Sequence, residues 1–569
     1  MSEGTAGMPG DVLISGGEVI DGTGAPRRRA DVRVRHGRVA EVGASLAPEG
    51  EQRIDANGAV VTPGFIDTHA HTDPAVFWDP FLDPEPLHGV TTMLTGNCSL
   101  SLFPVSEATR SDVSDLFSYI EDVPRYLFDD SVPWTWEDFA GYRDVVNAAG
   151  AGANLAPLVG HSMLRLVVMG ADAWERAATA GERAAMAGLF AASVRQGAWG
   201  LSVSALDVDS QGREVPSRRA DGAELDALLA VLRDAGRGVV EYVPNLFGSQ
   251  AEAEFTTLAR RCGAHGVPLT WTGFAYSTPA STGRWLDLTR RLAGEGVRSY
   301  PQLSPRTVDF RLNWESSMMF MTMPSGWHKV IAAAQADKPA LLRDPGWRAA
   351  AREEWDRTEH GLFPHRNLQK VRIVETRGSE SQRWLGRTLQ ELVEEQGGHP
   401  SDVFADFVLA NDCRPGIVAV GVANSDVAGV GRTLTDPAVI VSSSDAGAHM
   451  QMLCASGDST LLLTRHVAER GDFTLEEAVY QLTGRQAALF GFTGRGEVRP
   501  GAVADLAVFA LDELHYGGDG FVRDLPGGGA RLRRPDGGYR ATVVAGVPVQ
   551  LAGTPTGALP GRVISAGDS

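Results

Sequence analysis

Cysteine is scarce in this chain. The four among 569 residues, Cys98, Cys262, Cys413 and Cys454, form no CxxC pair. That spacing argues against a disulfide framework and sets a reducing, cytoplasmic location as the expectation. No run approaches the ~20 uninterrupted apolar residues of a membrane-spanning helix. The opening stretch MSEGTAGMPGD lacks the basic and apolar regions of a secretion signal. Positive charge is also in deficit, with 52 Lys and Arg against 71 Asp and Glu and a net charge of −19. Nucleic acid and anionic membrane are therefore not expected as partners, since both need a basic face. Glycine-rich stretches such as GDGFVRDLPGGGARLRRPDGG have no strand-to-helix context, so they read as surface loop rather than phosphate cradle.

What is present is a 43% hydrophobic composition, enough for a sizeable core. The length allows roughly three to four domains, fewer where one is a barrel. Residues 11–62 read as short strands separated by Gly, Asp and Asn turns, and the stretch after 498 reads the same way. These two ends are expected to build one small β-sandwich domain, from residues 1–62 and 498–569. Between them, apolar strands alternate with helical segments such as 172–195, 222–236 and 251–264. Strands are expected at 63–69, 90–96, 153–159, 198–204, 238–243, 267–272, 296–302 and 438–445. Eight such repeats predict an α/β fold, a (β/α)8 TIM barrel over 63–497.

A long insertion, about 304–430, precedes the last barrel strand. Trp314, Met318, Met319, Phe320, Met321, Met323, Trp327 and Phe363 crowd into its first half. It reads either as a lid over an apolar substrate or as an extra packed layer or oligomer contact.

Only 13 histidines occur in the chain, yet two lie one residue apart in GFIDTHAHTD. Residues i and i+2 of a strand point the same way. His69 and His71 are therefore expected to aim together into the barrel mouth and grip one metal ion; the alternative is a pair of loop histidines. The last expected strand ends in VSSSDAGAH, which places Asp445 to reach the same ion and to move a proton. An N-cap is the alternative for Asp445.

The segments VVTPGFIDTHAHTD, HGVTTMLTGNCSLSLFPV, LVGHSMLR, GAWGLSVS, SSSDAGAH and FTLEEAVYQLTGRQAALFGFTGRGEVRPGAVADLAVF resemble the amidohydrolase superfamily, and within it the D-aminoacylase, or N-acyl-D-amino-acid deacylase, branch. The resemblance covers nearly the whole chain outside much of the insertion. It implies a zinc hydrolase, with one or two Zn2+ ions or another divalent metal. Metal-activated water attacks an amide carbonyl, and Asp445 serves as general base and then acid. His69, His71 and Asp445 match this pattern directly, and Cys98 in TGNCS matches the branch's cysteine ligand.

The chain also departs from the branch. The ends of strands five and six, VVEYVPNLFG and PLTWTGFAYS, contain no histidine. Glu241 is the nearby residue that could replace a ligand, while Tyr242, Thr270 and Trp271 are expected to shape the pocket. No arginine follows Asp445 in AGAHMQMLCASG, where the branch reads a substrate carboxylate. Arg306 or Arg165 could supply that cation. His161 and Tyr300 are further candidates for substrate binding. His449 stands where its loop could turn it to the mouth. His88 is expected to be structural, and His265, His360, His365 and His399 are assigned no role.

The expected activity is hydrolysis of a C–N amide bond in an N-acylated amino acid or related small-molecule amide. Opening of cyclic amides, ester cleavage and amide formation are alternatives on the same scaffold, as is a non-catalytic binding module. A homo-oligomer is compatible with all of them.

Overall fold

The computed structural model describes residues 11–315, 318–359, 361–442 and 444–567; His360 and most of the N-terminal stretch lie outside these. Each of the eight strand positions expected in the centre of the chain holds a strand. In chain order they are β1 Phe65–Asp67, β2 Val90–Thr95, β3 Asn154–Pro157 with its continuation Val159–Gly160, β4 Gly200–Ser204, β5 Val239–Val243, β6 Leu269–Trp271, β7 Ser299–Leu303 and β8 Ile440–Val441. Strands β2 and β5 are buried along their whole length, as parallel strands covered on both faces must be. All neighbours are parallel, in the order β3–β2–β1 in one sheet and β3 continuation–β4–β5–β6–β7–β8 in the other.

Main-chain bonds link the two sheets at both seams. The Leu158 amide donates to Thr95 at 2.8 Å, and the Trp199 amide donates to Pro157 at 2.9 Å. At the other seam Ala70 bridges Ala446 in parallel, and the His71 amide donates to the Ala446 carbonyl at 2.7 Å. Because every strand runs the same way, all eight C-terminal ends gather at one end of the structure.

The flanking helices start where capping chemistry permits. Residues 172–195 were expected to be one helix. The helix is Ala180–Gln196, because Thr179 and Glu182 form a capping box there; Gly170–Trp174 is a separate 3-10 turn. The other two expected helices stand at Gly222–Ala235 and Ala251–Ala264. Among the described residues no helix is long and apolar enough to cross a membrane.

Both chain ends contribute to two further sheets. Val12–Ser15, Asp31–Arg35, Arg38–Gly43 and Gln52–Asp55 form one. In the other, Val60–Pro63 pairs with Leu506–Phe509. Val12, Ile14, Val32, Val61, Leu506 and Val543 of the two sheets share one apolar core. Val60–Pro63 runs through Gly64 straight into β1. A Cβ at Gly64 would lie 2.2 Å from Thr91, so only glycine lets β1 pack this closely on β2.

The C-terminal segment does more than return to that sheet. Between Phe509 and Ala541 it leaves to form a hairpin, Gly520–Val522 with Arg531–Arg533. The Leu532 amide donates to Met450 at 2.8 Å, beyond β8. Its final residues pass under the opposite end, where Leu155 bridges Val563. There Trp199, Phe492 and Ile564 pack together, with the Trp199 and Phe492 rings 4.3 Å apart.

The insertion has its own core. A three-stranded antiparallel sheet, Val308–Arg311, Gly416–Ala423 and Val371–Glu375, packs with helices including Trp327–Ala332, Pro345–Arg357 and Pro400–Ala410. Trp314, Met319, Phe320, Met323, Trp327, Trp347, Trp355, Phe363 and Phe404 fill it. Most of these rings are removed from water within the insertion itself, as the extra-packed-layer reading expects, while Trp314 also lines a cavity. Asn424 ties off the insertion by donating to the carbonyls of Ser304 and Arg306, both at 3.1 Å.

Candidate active site

Four side chains from three places in the chain converge at the C-terminal ends of the strands. His69 and His71 follow β1, and their rings lie 5.4 Å apart. Asp445 follows β8. Its Oδ1 stands 3.2 Å from His69 Nε2 and 3.6 Å from His71 Nε2. Cys98 follows β2 and brings Sγ to 3.4 Å from His69 Nε2. Both imidazoles are buried, whereas the Asp445 side chain is 25% exposed and so reaches open space.

Local backbone geometry aims these donors. Cys98 and Ser99 both adopt left-handed conformations, with φ of 54° and 67°, which cost non-glycine residues energy. Buried hydrogen bonds hold them there. The Cys98 amide donates to Glu241 at 2.9 Å, the Ser99 amide donates to Ser202 Oγ at 3.0 Å, and Ser99 Oγ lies 2.9 Å from Ser162 Oγ. Asp445 is also left-handed, at φ 62°, and its amide donates to the His69 carbonyl at 3.1 Å.

Burial dominates the electrostatics. It pushes Glu241 up to about 7 and Glu121 and the Cys98 thiol well above their usual ranges, with nearby carboxylates adding to each. Burial also depresses His71. For His69 burial is the largest single influence and acts downward, but the hydrogen bond and charge of Asp445 together with the charges of Glu241 and Asp67 outweigh it and raise the imidazole to about 9. Asp445 is held well below its usual range because the two histidines together overcome its burial.

These residues fit a divalent ion. Zinc bonds of ~2.0–2.3 Å at tetrahedral angles put neighbouring donors roughly 3.3–3.8 Å apart, close to the separations seen here. His69, His71 and Cys98 each bring one ligand atom within 4.8 Å of the others. Among the described residues His71 Nε2 has no hydrogen-bond partner although buried, an arrangement that needs a reason. A cation would also relieve the crowding of buried acids and thiol.

The remaining candidates stand elsewhere. Glu241 faces Nδ1 of His69, 3.8 Å away, so it lies behind the ring, away from the Nε2 cluster. His161 Nε2 is bonded to Glu224 at 2.7 Å, and Glu224 also binds Arg165 at 2.5 Å; both basic groups are absorbed by one buried carboxylate. Arg306 donates to the Ser444 carbonyl at 2.7 Å and pairs with Asp458 at 3.5 Å, so it props up the β8 loop rather than offering an open guanidinium. Tyr300 packs with Ile66, Trp199, Phe490 and Phe492 in the cluster at the opposite end of the strands. Tyr242 and Trp271 pack on Phe255 of the outer helix, not on a pocket. His88 is buried between Thr460 Oγ1, at 2.8 Å, and the Pro535 carbonyl, at 3.1 Å.

Glu121 escaped the sequence reading. It ends the helix Arg110–Ile120, and its Oε1 lies 3.4 Å from His71 Nδ1. No motif marks it; the only signal is a pair of acids, Glu121 and Asp122, directly after a buried helix end. Asp122 accepts from the Gln451 amide at 3.0 Å. It lines a cavity of about 830 Å³ together with Tyr119, Trp174, Asn313, Gln451 and Phe521.

Comparison with known proteins agrees with this geometry. Residues 52–550 match the amidohydrolase family. The chain belongs to the amidohydrolase family. Within it, this amidohydrolase falls in the D-aminoacylase branch. It is 30% identical over 505 residues to the D-aminoacylase of Alcaligenes xylosoxydans xylosoxydans, covering 88% of each chain. An uncharacterised protein of Mycobacterium tuberculosis is 32% identical over 563 residues, 94% of this chain and 90% of its own. The crystal structure of N-acyl-D-glutamate deacylase from Bordetella bronchiseptica, complexed with zinc and a phosphonate mimic of the tetrahedral intermediate, superimposes with a TM-score of 0.67 at 25% identity. That match covers 98% of this chain and 100% of the deacylase. The amidohydrolase described here is accordingly a metal-dependent hydrolase of carbon–nitrogen bonds other than peptide bonds.

Proposed function

We propose that this amidohydrolase cleaves the amide bond of an N-acylated amino acid, releasing a carboxylic acid and the free amine. The observation that carries the reading is the approach of Asp445 Oδ1 to Nε2 of both His69 and His71. In this proposal His69, His71, Cys98 and Asp445 hold a zinc ion. When bound, the ion supplies a Lewis acid that polarises the amide carbonyl and acidifies water. Asp445, the cluster member that reaches open space, accepts a proton from the attacking water at its free carboxylate edge. It then returns that proton to the departing nitrogen as the C–N bond breaks.

The rest of the reading follows the same lines. The eight parallel strands are read as one closed (β/α)8 barrel over 63–497, and the two sheets built from 1–62 and 498–569 as a β-sandwich domain. The shared apolar core of those sheets and the paired seams of the barrel support this division. A cytoplasmic location is part of the proposal, supported by four cysteines that are all free. A homo-oligomer is compatible with it.

The test is hydrolysis by zinc-loaded protein of a panel of N-acetyl-D- and N-acetyl-L-amino acids, with cyclic amides and esters as controls, read as release of carboxylic acid for every substrate and of primary amine for the N-acetylamino acids. Turnover of an N-acylated amino acid that is lost in Asp445→Asn is the expected result. Turnover confined to the cyclic amides or esters, or turnover unaffected by Asp445→Asn, would overturn the proposal.

A further inference from the structure

The two site histidines are built alike. Each presents Nε2 to Asp445 and turns Nδ1 toward a buried glutamate: His69 to Glu241 at 3.8 Å and His71 to Glu121 at 3.4 Å. In both pairs the facing atoms, Nδ1 and Oε1, are buried and have no hydrogen-bond partner among the described residues. A buried imidazole nitrogen and a buried carboxylate oxygen left unpaired are each costly. The His71–Glu121 pair, at 3.4 Å, is close enough for a proton on Nδ1 to be drawn to the carboxylate, whereas the 3.8 Å of the His69–Glu241 pair is too long for a direct hydrogen bond. A proton so held on His71 also fixes the tautomer that leaves its Nε2 as a lone-pair donor.

Glu121 has a second hold on the site. Its main-chain carbonyl accepts from the amide of His449, and its Oε2 lies 4.0 Å from His449 Nε2. His449 Nε2 in turn stands 4.0 Å from Asp445 Oδ2. The next residue, Asp122, accepts from the amide of Gln451 at 3.0 Å and from the side chain of Asn313 in the insertion. The end of the helix Arg110–Ile120 is therefore fastened to the loop that carries Asp445 and His449.

We propose that Glu121 is a positioning residue of the metal site: its carboxylate takes the Nδ1 proton of His71, and its backbone pins the loop bearing His449. The inference rests on the reading of His69, His71, Cys98 and Asp445 as the holders of the ion. Glu121 itself touches neither ion nor substrate.

The experiment measures zinc affinity directly, by competition with a chelating dye, in purified full-length apo protein at a temperature well below its melting point. Wild type, His71→Ala, Glu121→Gln and, should that variant not fold, Glu121→Asp are compared. Partners at this distance from a metal typically contribute ten- to hundredfold in affinity, so Glu121→Gln is expected to weaken zinc binding by at least tenfold. Glu121→Asp, which retracts the carboxylate by one methylene, carries the same expectation. Tight binding by wild type with affinity unchanged within twofold in the folded Glu121 variant would overturn this proposal alone. Failure of wild type to bind zinc, or His71→Ala binding as tightly as wild type, would instead remove the metal site beneath it.

Discussion

The thiol of Cys98 stands 3.4 Å from Nε2 of His69, although the two residues come from different strands and lie 29 apart in the chain. That contact turns a two-histidine motif into a mixed nitrogen and sulfur site, the donor set that zinc favours over magnesium or calcium.

Replacing the thiol tests this directly. Cys98→Ser is expected to weaken zinc binding by more than about a hundredfold, because losing a ligand exceeds the ten- to hundredfold effect of losing a ligand's supporting partner. Chelator competition on the purified variant reads the change, and metal content equal to wild type after dialysis against chelator would contradict it.

Asp445 has two separable duties. Asp445→Asn keeps an oxygen near both histidines but abolishes the basic carboxylate, so kcat is expected to fall by about 10²- to 10⁴-fold. Metal content should fall much less than in His69→Ala, which loses metal and activity together. Metal analysis alongside turnover separates the two roles.

His88 makes a pH prediction far from the chemistry. Its burial, reinforced by nearby Arg534, depresses the imidazole to about 3, against about 6.5 in an unfolded chain. Between those values the unfolded state binds the extra proton, so the neutral ring's contribution is intact above pH 6.5 and drains away as pH falls toward 3. Thermal melts from pH 7 to 5 should show a shallower loss for His88→Gln than for wild type, even though the variant starts less stable.

Trp327 tests the insertion. Fully buried against Phe320, Trp347 and Phe404, it is expected to cost about 3–5 kcal/mol when cut to alanine. Denaturant unfolding measures that loss. The zinc affinity of the folded variant should match wild type, since these rings pack on one another and not on the site.

The residues that were legible in the sequence share a cause. His69 and His71 stand out as two histidines one residue apart just after an apolar run, and Asp445 as the acid just after the last such run. Cys98 was visible through family resemblance alone. Tyr300 was misjudged because strand membership does not give depth. Glu241, Thr270 and Tyr300 are register partners across three neighbouring strands, yet on tilted strands such partners sit at successively different levels. Glu241 reaches the histidines while Tyr300 ends among Trp199 and Phe492. The aromatic insertion stayed open between two readings for another reason: its composition is the same whether rings face a ligand or each other. Glu121 could not be found at all, since its partner His71 lies on a different element and no spacing relates them.

The segment after residue 498 lends four strands to the terminal sheet, braces Met450 through the hairpin amide of Leu532, and shuts the far end with Ile564 beside Trp199. Three distant regions thus hang on one stretch of polypeptide. Trimming it to obtain a minimal catalytic fragment would strip the scaffold at its edge, its rim and its base in a single cut, so a functional fragment must retain this stretch entire.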